Sequence, residues 1–255
     1  MFNFNSGPGG GGNPNRGFYN PFGGGSGYGE TRGWVNPTLA GAISLPERVM
    51  GLTCLLVACA IGGVWLGAVG GLNTYWGGTE LLWFIAMFVL VMATQALAGR
   101  PGIGMITFVA FGVVTGIVIA PLLQAIAANN QQYIVYEALA ATAATTGAVT
   151  LYARTTSRDF SRLGGWLSAG LIGVVVAMVI GIFVHSTGFQ ILISAAACVI
   201  FSLFLLYDIQ RVTAMANFQG SAIRMALRIY LDIFNLFLNL LSILMLTQGG
   251  GGNRR

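Results

Sequence analysis

The sequence predicts an all-α polytopic membrane protein with seven transmembrane helices. Hydrophobic residues make up 55% of the 255 positions, only 7% are charged, and the mean hydropathy is +0.76. A water-soluble domain carries about a quarter charged residues, so this chain lacks the polar surface to face water. The same apolar content excludes a chain that is disordered throughout. The third observation is a series of seven long apolar runs.

Each apolar run is about 20 residues long, which is the length that a helix needs to cross the hydrocarbon core. None shows the alternation typical of barrel strands, and backbone groups in lipid must be satisfied internally, so the runs are predicted to be helices. Glycine and alanine recur within them, which favours close packing of the bundle. The runs lie at about 49–70, 80–98, 103–126, 133–153, 165–184, 189–207 and 225–247.

Two terminal segments flank the predicted seven-helix domain, residues 34–248. Residues 1–33 are rich in glycine, asparagine and aromatics without helical period, which predicts a disordered cytoplasmic tail. Its aromatic residues are either weak contacts for a partner or part of a plain tether. No signal peptide is expected, because the first long apolar run begins only near Val49. Residues 249–255 are predicted to be a short flexible C-terminal tail.

The distribution of arginine predicts the orientation. All twelve basic residues are arginine, and ten of them precede the first run or lie in alternate connections. The other connections, at about 71–79, 127–132 and 185–188, contain none, so the positive-inside rule places the N-terminus in the cytoplasm. Seven crossings then put the C-terminus outside, whereas a re-entrant last run would leave it inside. Scattered arginines without a basic face argue against nucleic acid as a partner.

Two aspartates within the last two apolar runs are the strongest candidates for function. Asp208 lies in FSLFLLYDIQRV and Asp232 in RIYLDIFNLFLNLLSIL, at similar depth near the cytoplasmic face of antiparallel helices. Two neighbouring carboxyls in a poorly solvated place cannot both ionise freely, so the pair should titrate as one proton-sensitive unit and, when deprotonated, attract a cation. The alternative is simple ion pairing with Arg211 and Arg228, which are three and four residues away.

Further polar residues extend this candidate site. Asn235 and Asn239 continue the stripe of Asp232 on the last helix, either lining a water-filled cavity or bonding between helices. Arg100 is either the counter-charge of the aspartate pair or only an orientation signal. At the outer ends, Glu137 lies about one turn inside its run and is expected to line a pore. Glu80 and His185 are expected to be solvated helix ends, the alternative being an acidic mouth that concentrates cations.

No motif of an enzyme is present. The chain lacks HExxH, a P-loop, GxSxG and any Cys/His cluster. The segment IYLDIFN around Asp232 does not match the GxGD motif of intramembrane aspartyl proteases. The odd number of cysteines, with no paired spacing, argues against a disulfide framework or metal site, so Cys54, Cys59 and Cys198 are expected to be packing residues. We therefore expect a non-enzymatic protein without a tightly bound cofactor.

The end of the chain resembles the Bax inhibitor family, the transmembrane Bax inhibitor motif proteins. The resemblance rests on FSLFLLYDIQRV and MALRIYLDIFNLFLNLLSIL, and VTGIVIAPLL, YIVYEALAATAATTGAV and VVVAMVIGIFVHS agree with it. It covers about residues 45–247. It implies a bundle whose seventh helix is enclosed by the other six, and a proton-sensitive leak with calcium as the permeating ion.

The resemblance also implies roles for single residues. Asp208 and Asp232 match the family's pH sensor, where calcium would bind transiently, and Arg100 lies within one residue of a latching arginine. Glu137 matches a family acid, whereas the acid expected in the second helix is replaced by Phe88. The alternative function is a non-conducting adaptor for a membrane-bound AAA protease, as some bacterial relatives are. The all-arginine composition and the absence of a targeting segment favour a bacterial inner membrane.

Overall fold

Seven α-helices make up almost all of the structure, a computed structural model. It describes residues 44–70, 80–100, 102–184, 186–214 and 222–249, with side chains except those of 80–84, 161 and 182. These residues belong to one compact unit, 43–255. The helices are α1 (Leu45–Val69), α2 (Glu80–Leu97), α3 (Ile103–Ala128), α4 (Gln132–Thr155), α5 (Gly164–Phe183), α6 (Thr187–Ala214) and α7 (Ala222–Gln248).

Six of these helices are long enough to span a membrane. All but α2 are long and apolar enough to cross a membrane, and the described part of α2 offers a shorter apolar segment, Ile85–Leu97. The all-α prediction is confirmed, with seven helices of which six have full spanning length. The predicted tail 1–33 lies outside the described residues, as do residues 250–255 of the predicted tail 249–255, and His185.

The first helix begins earlier than its apolar run suggests. The Ser44 backbone N–H donates a 2.9 Å hydrogen bond to the Glu47 carboxylate, and Pro46 stands in the first turn. Both features stabilise a helix N-terminus, where backbone N–H groups have no partner within the helix. The helix therefore begins at Leu45 rather than at Val49.

The helices α1 and α3 pack with their backbones in close contact. A Cβ atom at Gly63 would overlap the Val113 carbonyl, and one at Gly116 would overlap the Ala60 carbonyl. Cys59 lies against Gly112 in the same contact, as a small packing residue would. Only glycine permits this approach, so the tight bundle expected from the small residues is present here.

Helix α7 contributes to every buried apolar cluster of the described residues. Tyr230 lies in one cluster, Leu236 in a second and Leu241 in a third. Its main neighbours are α1, α4 and α6, whereas α2 packs mainly on α3 and α5 mainly on α6. Helix α7 is therefore surrounded chiefly by three helices rather than by all six.

The two ends of the bundle differ in charge. The Gln210 side chain donates a 3.0 Å hydrogen bond to the Arg158 carbonyl and accepts a 3.2 Å hydrogen bond from the Phe160 N–H. These two bonds tie the α4–α5 connection to the end of α6. We call the end of the bundle that contains this connection, with Arg158 and Arg162, the arginine-rich end. At the opposite end, the Gln248 amide donates a 2.8 Å hydrogen bond to the Glu137 carboxylate.

Candidate functional site

The two aspartates lie in one cavity at the arginine-rich end. Asp208 on α6 and Asp232 on α7 are only 7% and 8% exposed. Both line a cavity of about 630 Å³ between α5, α6 and α7, which we call the aspartate cavity. The antiparallel packing of α6 on α7 brings them to the same depth, as the sequence predicts.

Four charged side chains share the aspartate cavity. Arg211 and Arg228 line it together with the aspartates, and both arginines are near enough to Asp208 to interact with it electrostatically. Asp232 interacts with Asp208 and with Arg228. The two interpretations of the pair, a coupled proton site and ion pairing with local arginines, therefore describe one and the same cluster.

One carboxylate oxygen of Asp232 is fully buried. Its Oδ2 atom is buried and has no hydrogen-bond partner within the described part of the chain. A buried carboxylate oxygen without a donor is unfavourable when charged. Asp232 is therefore the member of the pair that a proton, a water molecule or a cation would stabilise most.

The polar stripe of α7 continues into a second cavity. Asn235 lines the aspartate cavity, whereas Asn239 lines a separate cavity of about 350 Å³ with Gln190, Ser194 and Ser242. We call it the serine cavity, because the Ser194 hydroxyl donates to the Ser242 hydroxyl at 3.4 Å. Both asparagine amide groups donate within α7, to Leu231 and Asn235 carbonyls at 2.8 Å. The stripe therefore faces the interior, and its amide N–H groups bond within the helix rather than between helices.

An apolar layer separates the two cavities. It consists of Val174 on α5, Ala197 on α6 and Leu236 on α7, which belong to one buried cluster and are 6%, 0% and 1% exposed. Along each of α5, α6 and α7, the residue of the apolar layer lies between a residue that lines the aspartate cavity and a residue that lines the serine cavity. These flanking residues are Leu171 and Met178 on α5, Phe201 and Ser194 on α6, and Asn235 and Asn239 on α7.

Comparison with known proteins identifies the family. The sequence profile described as "Inhibitor of apoptosis-promoting Bax1" matches residues 45–249. This chain belongs to the Bax inhibitor family. The match extends over all seven helices and includes both cavities.

Bacterial relatives share about a third of the aligned residues. An uncharacterized protein of Helicobacter pylori is 32% identical over 181 residues, which cover 70% of this chain and 78% of the relative. An uncharacterized membrane protein of Vibrio cholerae is 35% identical, over 63% and 69% of the two chains. The Escherichia coli protein named "Modulator of FtsH protease YccA" is 30% identical, over 64% and 74%.

The arginine that the Bax inhibitor family would use as a latch lies apart from the aspartate cavity. Arg100 lies in the turn between α2 and α3, where its backbone N–H donates a 2.8 Å hydrogen bond to the Leu97 carbonyl. Among the described residues, the cations that line the cavity are Arg211 and Arg228. A latch at Arg100 stays a prediction, and it would act on the end of α2 rather than within the cavity.

Glu137, the acid expected to line a pore, lies outside both cavities. Glu137 is exposed and accepts the hydrogen bond from Gln248, and it lines neither the aspartate cavity nor the serine cavity. Phe88, which stands where the family acid of the second helix is expected, is 66% exposed. The side chain of Glu80 lies outside the described residues.

Ser194 and Ser242 are the site residues that sequence reasoning missed. Ser242 lies three residues beyond Asn239 and therefore continues the same helical stripe, so its spacing was a usable signal. Ser194 has no comparable signal within α6. Only the packing of α6 on α7 brings its hydroxyl to Ser242.

Proposed function

We propose that this protein is a pH-sensitive calcium leak of the bacterial inner membrane, opened by deprotonation of the Asp208 and Asp232 pair. The observation that carries the proposal is the pair itself, buried in one cavity, with a second polar cavity farther along α7 beyond the apolar layer. The positive-inside rule places the arginine-rich end, and with it the pair, on the cytoplasmic side. The proposed pathway runs between α5, α6 and α7.

The oxygen atoms of the aspartate cavity suit a permeating divalent cation. Calcium takes about 6–8 oxygen ligands, and two carboxylates offer only part of that number. Asn235, Ser168 and Tyr207 also line the cavity and supply neutral oxygens, with water completing the shell. Such a site binds calcium loosely, which suits conduction because a permeating ion must also leave.

Gating follows from the charges that face the pair. With one shared proton, the cluster holds one negative carboxylate against two arginines, and α6 and α7 stay packed. Loss of the proton adds a second negative charge in a poorly solvated place and redistributes the contacts of Arg211 and Arg228. We expect α6 and α7 then to separate at the apolar layer, which opens a continuous polar path.

The test is calcium flux into liposomes that contain the purified full chain. Flux is scanned from about pH 5 to about pH 8, because the protonation of a coupled carboxyl pair depends on pH. Asp208→Asn and Asp232→Asn should change the flux and its pH dependence, whereas Asp208→Glu, which keeps a titratable carboxyl, should retain both. Unchanged flux in the two asparagine variants would refute the mechanism.

A second candidate is a non-conducting adaptor of a membrane-bound AAA protease. It is supported by similarity to the Escherichia coli protein whose name describes a modulator of FtsH protease. The predicted flexible segment 1–33 is the feature that such an adaptor would use for docking. Deleting residues 1–33 distinguishes the two candidates, because an adaptor should lose its protease partner and a leak should keep its flux.

A further inference from the structure

A large apolar cleft lies between α1 and α4, on the far side of α7 from the aspartate cavity. Its volume is about 1020 Å³, at the upper end of the range of about 300–1,000 Å³ for small-molecule sites. The aromatic side chains of Tyr230, Phe234 and Phe237 on α7 line it, and Ile61 and Trp65 line it from α1. Trp65 and Ile61 are 63% and 67% exposed, so the cleft is open towards the lipid.

The cleft exists because small residues of α4 face α1 across it. Ala143, Thr146 and Gly147 line the cleft, and a Cβ atom at Gly147 would meet nothing within 4 Å. Helices α1 and α4 each pack on α7, but they do not form a major packing pair with each other. The bundle therefore leaves a groove that no side chain of the described residues fills.

The lining carries one charge, at one end. Arg154 is exposed and is the lining residue that lies at the arginine-rich end of α4. From Val135 to Arg154 the helix rises by about 28 Å, close to the ~30 Å thickness of the hydrocarbon core. An occupant that matches this groove is apolar along its length and anionic near Arg154. Basic residues beside grooves between transmembrane helices bind anionic lipid headgroups in this way.

We propose that the cleft binds one anionic phospholipid, whose phosphate contacts Arg154 and whose acyl chains lie against α1, α4 and α7. The phosphate accepts charge-assisted hydrogen bonds from the guanidinium, and the chains cover the aromatic face of α7. The buried Thr146 hydroxyl, which has no hydrogen-bond partner in the described part of the chain, lies in the same cleft. This inference is independent of calcium flux.

The test is native mass spectrometry of the full chain in detergent with added phosphatidylglycerol or phosphatidylcholine. The wild type should retain one phosphatidylglycerol molecule. Gly147→Leu adds a side chain to the cleft lining at a position where a Cβ atom meets nothing within 4 Å, and it should lower retention at least tenfold. Gly173→Leu on α5 is the matched control, because Gly173 is also exposed with nothing within 4 Å of its Cβ, and it does not line the cleft. It should bind lipid as the wild type does.

Arg154→Gln separates headgroup recognition from chain burial. Loss of the guanidinium should weaken phosphatidylglycerol about tenfold and leave phosphatidylcholine unchanged, since the charge-assisted hydrogen bonds favour the anionic lipid. Equal retention in Gly147→Leu and Gly173→Leu would overturn the proposal. It would also be overturned if Gly147→Leu converted a dimer into a monomer without changing bound lipid, since the cleft would then be an interface between two copies. If Gly147→Leu failed to fold, an unchanged lipid preference in Arg154→Gln would refute the proposal by itself.

Discussion

Asp208 and Asp232 share one cavity, but only Asp232 has a buried oxygen without a hydrogen-bond partner among the described residues. Asp208 faces both Arg211 and Arg228. The two carboxyls therefore contribute differently to the folded state, although they belong to one coupled unit. This difference can be measured separately from any transport.

Neutralising the two aspartates should have opposite consequences for stability. Asp232→Asn removes a poorly satisfied buried charge, so its midpoint of thermal unfolding in detergent should equal or exceed that of the wild type. Asp208→Asn leaves two arginines without their counter-charge and should lower the free energy of unfolding by about 1–3 kcal/mol. Both midpoints are measured at neutral pH. A lower midpoint for Asp232→Asn than for Asp208→Asn would contradict this assignment.

The apolar layer should act as the barrier to ions in the proposed leak. Leu236→Ala widens the layer between the cavities, so calcium flux should rise even at acidic pH, where the pair is protonated. Leu241→Ala is the control, because Leu241 is equally buried on α7 but packs in a different cluster. Each variant should lose about 2–5 kcal/mol of stability. A flux increase in both would assign the effect to general loosening.

The two candidate arginines should affect different properties of the flux. Arg228→Gln removes a cation that lines the aspartate cavity, so deprotonation of the pair becomes harder and the pH of half-maximal flux should rise by about one unit. If Arg100 is a latch on α2, Arg100→Gln should raise the flux at acidic pH without changing the pH of half-maximal flux. Liposome flux against pH measures both. A midpoint shift in Arg100→Gln alone would place the counter-charge at Arg100 instead.

Two adjacent glycines of α1 should respond differently to the same substitution. Gly63→Ala places a methyl group into the Val113 carbonyl and should destabilise the fold by about 1–3 kcal/mol. Gly62→Ala meets nothing within 4 Å and should be neutral or stabilising by up to about 1 kcal/mol. Thermal unfolding of both variants in the same detergent measures the difference. Equal midpoints would mean that α1 and α3 do not pack through this glycine.

The length and order of the helices were readable from hydropathy, because lipid demands continuous apolar segments. The helix bounds lie within four residues of the bounds of the apolar runs, except that α6 continues seven residues past the predicted end at 207, to Ala214. The apolar run stops at Asp208, whereas the helix continues because Ile209 and Val212 are buried against neighbouring helices. Hydropathy records the contact with lipid, and packing decides where the helix ends.

The sequence by itself determined the all-α membrane class and the family and singled out Asp208 and Asp232 as candidates, because each rests on local composition, motif or spacing. Only the tertiary structure decided that Ser194 meets Ser242, that an apolar layer separates the aspartate cavity from the serine cavity, and that α1 and α4 leave a cleft. It also placed Glu137 against Gln248 rather than in a cavity. The physical reason is that helical periodicity shows which residues share a face, whereas the neighbour that covers that face depends on how closely the helices approach one another.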